Sequence, residues 1–222
     1  MALTREHLAS PEFIARARAL VKGLPCKLWS DDALRASVSD TLATSPKEGR
    51  PEGGVWVFGY GSLIWNPIFP VLERFHVTLN GYERGFFLKT IYGRGTPENP
   101  GLVLALDEVE AAQVCGVAMR LPAENLEYEL FLLWRREMLA GSYKPVWVNV
   151  TYNKRCYPML TFVVDTSHKR YAGRISPEER LELIRNGHGI LGSARDYFWD
   201  TKKALDAIGL KCAQMEFIAE NL

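Results

Sequence analysis

An unbroken apolar run, Val55-Trp56-Val57-Phe58, stops at Gly59 and gives way to Tyr60-Gly61-Ser62-Leu63. This is the pattern of a buried strand feeding a tight glycine turn. Further runs of β-branched and aromatic residues, bounded by Gly, Pro or Asn, predict strands over 71–79, 85–89, 102–106 and 113–120. A polar loop over 92–101 interrupts them. After Pro122 the period changes, and Leu126, Leu130 and Leu133 at i, i+4 and i+7 predict a helix over about 123–139. A hairpin follows, with strands over 145–152 and 157–165 around Asn153-Lys154-Arg155. Ser176-Pro177-Glu178-Glu179 combines an N-cap, a first-turn proline and a capping-box glutamate, so a helix runs to about 186. Ser193 opens another to about 208. At the amino end, Ser10-Pro11 starts an alanine-rich helix to about 21, and Asp31-Asp32 opens a second to about 42. The stretch 45–54, rich in Ser, Pro, charge and Gly, reads as a flexible linker.

Strands with few, late helices and no βαβ alternation give an α+β class. The expected architecture is a small mixed, closed or nearly closed β-barrel with flanking helices and an N-terminal helical extension. The boundaries are 1–53 for the extension and linker and 54–222 for the main domain. A chain of 222 residues with 47% hydrophobic and 11% aromatic content is enough to close that core.

The 27 basic and 26 acidic residues lack long runs and leave a formal charge of +1, which gives no electrostatic reason for nucleic acid as a partner. A small-molecule substrate is expected instead. No stretch reaches the ~18 apolar residues of a membrane helix, and the charged residues among 1–20 break any secretory core. A soluble cytoplasmic protein without membrane association is expected. Cys26, Cys115, Cys156 and Cys212 are far apart and read as reduced thiols, with Cys115 inside an apolar strand pattern. His7, His76, His168 and His188 do not cluster with them, so neither a metal nor another cofactor is expected. The oligomeric state is left open.

Two places carry candidate chemistry. Gly61 stands between two hydroxyl-bearing residues, Tyr60 and Ser62. Glycine permits close backbone approach, so successive N–H groups there can converge on an anion or oxyanion. The same glycines equally suit a turn that serves chain geometry alone. Glu137 continues the Leu126, Leu130, Leu133 stripe, with no Lys or Arg at i±3 or i±4 to neutralise it. Burial without a paired cation would raise its pKa and prepare a general base. The other reading ends the stripe at Leu133 and sends Glu137 to solvent or to a distant Arg. Gly187-His188-Gly189-Ile190-Leu191-Gly192 fits G-x-G-x-x-G, but a helix precedes it where a dinucleotide site requires a strand. A tight helix connection, or a backbone wall beside a ligand, is expected there. Gly61-Ser62 is one residue out of register for a G-x-S-x-G elbow, which disfavours a serine hydrolase.

The run V-W-V-F-G-Y-G-S-L-I-W-N over 55–66 resembles the signature strand and loop of the ChaC-type, glutathione-specific γ-glutamylcyclotransferases. The resemblance continues through R-G-T-P-E-N-P-G at 94–101, G-V-A-M-R-L-P at 116–122, W-R-R-E-M at 134–138, G-S-Y at 141–143, G-S at 192–193 and D-Y at 196–197, and covers about 54–208. The helical segment ahead of it is similar to that of bacterial members. Arg84-Gly85-Phe86-Phe87 and Lys144-Pro145 depart from the family pattern and bear on which γ-glutamyl peptide is preferred. The resemblance implies cofactor-independent release of 5-oxoproline and Cys-Gly from glutathione, by attack of the γ-glutamyl α-amine on its own γ-carbonyl. It implies Glu137 as general base and then acid, with Tyr60, Gly61, Ser62 and Leu63 holding the γ-glutamyl group. Arg94 is the candidate for the distal carboxylate, and Tyr143 and Tyr197 for the pocket wall. Two alternatives stand beside it: a cyclotransferase for other γ-glutamyl amino acids or amines, and a non-catalytic γ-glutamyl-binding module.

Overall fold

The computed structural model describes residues 3–24, 26–47 and 51–222. Its centre is one five-stranded mixed sheet in the order β2-β3-β1-β5-β4. These are β1 (Val55–Gly59), β2 (Glu73–Thr90), β3 (Gly101–Leu121), β4 (Tyr143–Tyr152) and β5 (Arg155–Val164). β1 is buried along its whole length, which is why its sequence does not alternate. It pairs antiparallel with β3 and parallel with β5.

Four expected strands merge into two. The stretches 71–79 and 85–89 join as β2, and 102–106 and 113–120 join as β3. Gly81, with φ of 81°, sits at a bulge between Asn80 and Tyr82, where residues 109–112 stand opposite it alone. A left-handed residue kinks the ladder without ending it. The β4–β5 hairpin turns on Asn153 and Lys154, at φ of 49° and 64°, the two left-handed residues that a two-residue turn requires.

The expected closed or nearly closed barrel is not formed. β2 and β4 are the two edges of the sheet, and beyond the sheet β2 makes only an isolated bridge among the described residues, Leu88 with Tyr171. The two edges approach through side chains: Phe75 of β2 stacks on Tyr152 of β4 with centroids 4.4 Å apart. Rings interposed between two backbones keep them from the roughly 4.8 Å spacing at which a ladder forms.

Helices α1 (Arg5–Ala9), α2 (Phe13–Leu20) and α3 (Asp31–Ala43) precede the sheet, and α4 (Leu126–Glu137) lies within it in sequence. The helix expected from Ser10 is α2, starting later than expected because Ser10 closes an additional helix, α1, and Pro11 falls in the turn between them. α3 packs on α4, and its Ser37 hydroxyl accepts from Trp134 Nε1 at 3.0 Å. Leu8, Leu34 and Val38 share one apolar core with the sheet. Of the expected linker, residues 48–50 lie outside the described residues; Pro51–Gly53 form a short 3₁₀ turn. Helices α5 (Pro177–Asn186) and α6 (Ala194–Ala207) start at Ser176 and Ser193 as the sequence indicates, each serine accepting a backbone N–H. α7 (Ala213–Asn221), not expected from the sequence, donates no cap but brings Gln214 Oε1 to the N–H of Phe86 at the second β2 bulge, 2.9 Å away. Cys115 lies on β3 with its side chain exposed. No helix among the described residues is long and apolar enough to cross a membrane.

Candidate active site

The turn after β1, the end of α4 and the β2–β3 loop meet around a cavity of about 230 Å³. Tyr60, Gly61, Ser62, Leu63, Arg94, Glu137, Tyr143 and Tyr197 all line it. Residues spread over 138 positions therefore share one wall.

The turn is built to leave donors free. Within it Ile64 N–H donates back to Gly61 O at 2.9 Å and Asn66 N–H to Ser62 O at 3.0 Å. The N–H groups of Gly61, Ser62 and Leu63 donate to no acceptor among the described residues. Unpaired backbone donors are rare in a folded chain, and three in succession at residues that line a cavity are a donor set of the kind that can cradle an anion. Behind them lies Arg84, 4% exposed, whose Nη1 donates to the carbonyls of Tyr60 at 3.0 Å and Cys115 at 3.1 Å. A trans peptide points its C=O and the following N–H in opposite directions, and no peptide bond here is cis. Arg84 on the Tyr60 carbonyl thus turns the Gly61 N–H away from itself.

Opposite is Glu137, the last residue of α4, with a side chain only 15% exposed. The sequence reading looked for a cation at i±3 or i±4, but the partner is the adjacent Arg136, whose Nε lies 3.0 Å from Glu137 Oε1. At a helix terminus neighbouring side chains are no longer splayed by the next turn, so i and i−1 can meet. Arg136 also donates from Nη2 to Ser62 Oγ at 2.8 Å and from Nη1 to Asn66 O. One guanidinium thereby ties the carboxylate to the cradle. Burial raises the Glu137 pKa above the ordinary carboxylate value, and Arg136 offsets only part of this.

Three tyrosines surround the acid. Tyr60 donates its O–H to Phe162 O and Tyr143 to Leu104 O, both at 3.0 Å. Burial first, and nearby charge including Glu137, hold Tyr60 and Tyr143 well above the usual phenol pKa and raise Tyr197 as well. All three remain neutral, so the carboxylate keeps its surroundings uncharged on that side.

Arg94 is 8% exposed, donates to Ser193 O at 3.1 Å and lies over the Tyr197 ring at 5.4 Å. It forms no ion pair with a carboxylate among the described residues, and burial lowers its pKa. Its loop is packed backbone to backbone on the G-x-G-x-x-G segment: Leu191 N–H donates to Gly93 O at 2.9 Å, and a Cβ on Gly189 would stand 2.4 Å from that same oxygen. The glycines make a wall beside the cavity and not a nucleotide turn. Among the described residues no three His, Cys, Asp or Glu side chains gather as metal ligands.

A family-wide sequence profile described as ChaC-like protein matches residues 55–220. Among curated proteins, the glutathione-specific gamma-glutamylcyclotransferase of Escherichia coli K12 is 37% identical, the match covering 94% of this chain and 87% of that one. Gamma-glutamylcyclotransferase 2-1 of Arabidopsis thaliana is 34% identical over 68% of this chain and 74% of its own length. Among solved structures, a yeast gamma-glutamyl cyclotransferase specific to glutathione superposes with a TM-score of 0.67 at 22% identity, covering 76% of this chain and 96% of that one, which bears on the fold.

Proposed function

The chain belongs to the ChaC-like protein family, and from that premise we propose that it is a glutathione-specific γ-glutamylcyclotransferase releasing 5-oxoproline and Cys-Gly. The observation that carries the reading is the pairing of a buried carboxylate, Glu137, with three free N–H groups on one cavity wall.

Cyclisation needs no nucleophile from the protein, because the substrate's own α-amine attacks its γ-carbonyl carbon. One C–N bond forms, closing the five-membered lactam, and the C–N bond to the cysteine breaks. Two protons leave the substrate ammonium and two reach the departing nitrogen, so the protein is unchanged at the end. In our reading Glu137 takes the proton from the attacking amine and passes it to the leaving nitrogen. A general base of this kind supplies ~10²–10⁴-fold, roughly 3 to 5 kcal/mol. A carboxyl group with a raised pKa suits both halves of the transfer.

The N–H groups of Gly61, Ser62 and Leu63 are the proposed donors for the γ-glutamyl group and for charge developing on the γ-carbonyl oxygen. Each such donor is worth ~3–4 kcal/mol at comparable sites. Folding the flexible γ-glutamyl chain back on itself contributes up to ~7–11 kcal/mol, so positioning is the larger part. Tyr60, Tyr143 and Tyr197 wall the bent chain, and Arg94 presents a guanidinium to the carboxylate of the leaving peptide. Residues 1–53 then serve as an extension of the catalytic domain 54–222, in a protein that works in the cytoplasm.

The test is 5-oxoproline release measured by mass spectrometry across glutathione, γ-glutamyl amino acids and γ-glutamylamines. Glutathione should be turned over with the highest kcat/KM. Turnover of the others with none of glutathione would reassign the substrate.

A further inference from the structure

The same cavity holds a second buried guanidinium that the reaction does not account for. Arg170 is 7% exposed and lines the wall. Its Nε donates to Lys89 O at 2.7 Å, and its Nη1 donates to the Tyr92 hydroxyl and to Ser142 Oγ, each at 3.0 Å. Nη2 donates to none of the described residues, and Arg170 forms no ion pair among them.

Arg170 and Arg94 line the same cavity, and Tyr92, whose hydroxyl accepts from Arg170, lies on the loop that carries Arg94. The other two arginines on the cavity wall are satisfied by acids, Arg135 by Asp31 and Arg136 by Glu137. Arg94 feels the nearby charges of Asp196 and Asp200, whereas Arg170 is buried and braced by carbonyls and hydroxyls alone, with no ion-pair partner among the described residues. Proteins rarely bury cations in that way unless a ligand brings the anion. The bracing occupies Nε and Nη1, fixes the plane of the Arg170 guanidinium and leaves Nη2 as the donor for a carboxylate.

We infer that Arg170 joins Arg94 in a seat for the terminal carboxylate of the leaving peptide, which makes the enzyme selective for acidic γ-glutamyl peptides over their amides and over γ-glutamylamines. The inference rests on the cyclotransferase reading above and adds a residue that sets specificity.

The experiment compares glutathione with its glycinamide analogue, which differs only in the absent charge. The wild-type protein should favour the acid by at least about tenfold in kcat/KM, the scale of one charge-assisted hydrogen bond. Arg170→Gln should bring that ratio near one, through a raised KM for the acid. A wild-type ratio retained in Arg170→Gln overturns the inference. Should that variant fail to fold, the wild-type protein gives the answer alone: Cys-Gly should inhibit at about a tenth of the concentration needed for Cys-glycinamide, and equal inhibition overturns the seat. Equal turnover of acid and amide by the wild type discards the seat and leaves the cyclotransferase standing. Release of 5-oxoproline from neither discards both.

Discussion

The two ends of the cavity treat charge in opposite ways. Around Glu137 every charge has its partner, because Arg136 bonds the carboxylate, the Ser62 hydroxyl and the Asn66 carbonyl together. Around Arg94 and Arg170 two guanidiniums lie buried with no direct ion pair to an acid among the described residues, Arg94 feeling only the nearby charges of Asp196 and Asp200. The balanced end suits a proton that must move without leaving the site. The unbalanced end suits a substrate that arrives with the missing charge. Charge that a folded chain leaves uncompensated therefore describes its ligand more sharply than charge it has already paired.

The largest effect that would break this contrast comes from Glu137→Gln. Turnover should fall by ~10²–10⁴-fold while glutathione still binds, as calorimetry would record. The same variant should be at least as stable as the wild type. A carboxyl whose folded pKa lies above its unfolded value binds more protons in the native state, so stability declines as pH rises through that window. The amide carries no charge to bury and so removes that penalty. A lower melting temperature for Glu137→Gln would mean that the acid is structural.

Arg84→Met removes the bond to the Tyr60 carbonyl behind the cradle and should lower kcat by about 10²-fold, the effect of roughly 1 Å of misplacement. Arg84→Lys, which restores a single donor, should recover part of it. An unchanged kcat in Arg84→Met would show that the cradle holds its own shape. A smaller effect sharpens the balanced end: Arg136→Met removes the neighbour that lowers the Glu137 pKa, so the acid limb of kcat/KM should move to higher pH. A limb that moves down or stays would separate Glu137 from the titration. The smallest effect on activity belongs to Asp31→Asn. Asp31 meets Arg135 Nε and Nη2 at 2.9 and 2.6 Å, and Arg135 in turn holds the Leu8 and Ser10 carbonyls. The loss should be about 1–3 kcal/mol of stability, read from a urea midpoint, with kcat unchanged.

Local chemistry was legible in the sequence and distant chemistry was not. The apolar run of β1 and the serine caps of α5 and α6 are set by a few neighbouring residues, and the structure has each of them; the hairpin expected around Asn153-Lys154-Arg155 is there too, but Arg155 already belongs to β5 and the turn is Asn153-Lys154 alone. The eight candidate site residues, taken from the turn pattern, the α4 stripe and a family resemblance, line one cavity. Arg84 stands out in the sequence only as a departure from the family pattern, and Arg136 and Arg170 carry no role there, because an arginine in sequence carries no sign of whether it faces water or a distant carbonyl. The barrel failed for a related reason: strand pattern fixes which segments pair, whereas closure depends on whether the Phe75 and Tyr152 rings let the last two edges approach. The merger of strands across Gly81 depended on a single left-handed glycine that reads equally well as a turn.

The central claim is that the substrate supplies the nucleophile and the protein supplies a base and donors. Turnover of glutathione in water enriched in oxygen-18 tests this directly. The account predicts unlabelled 5-oxoproline and Cys-Gly in equal amounts; free glutamate carrying the label would show that water attacks the γ-carbonyl and would contradict it.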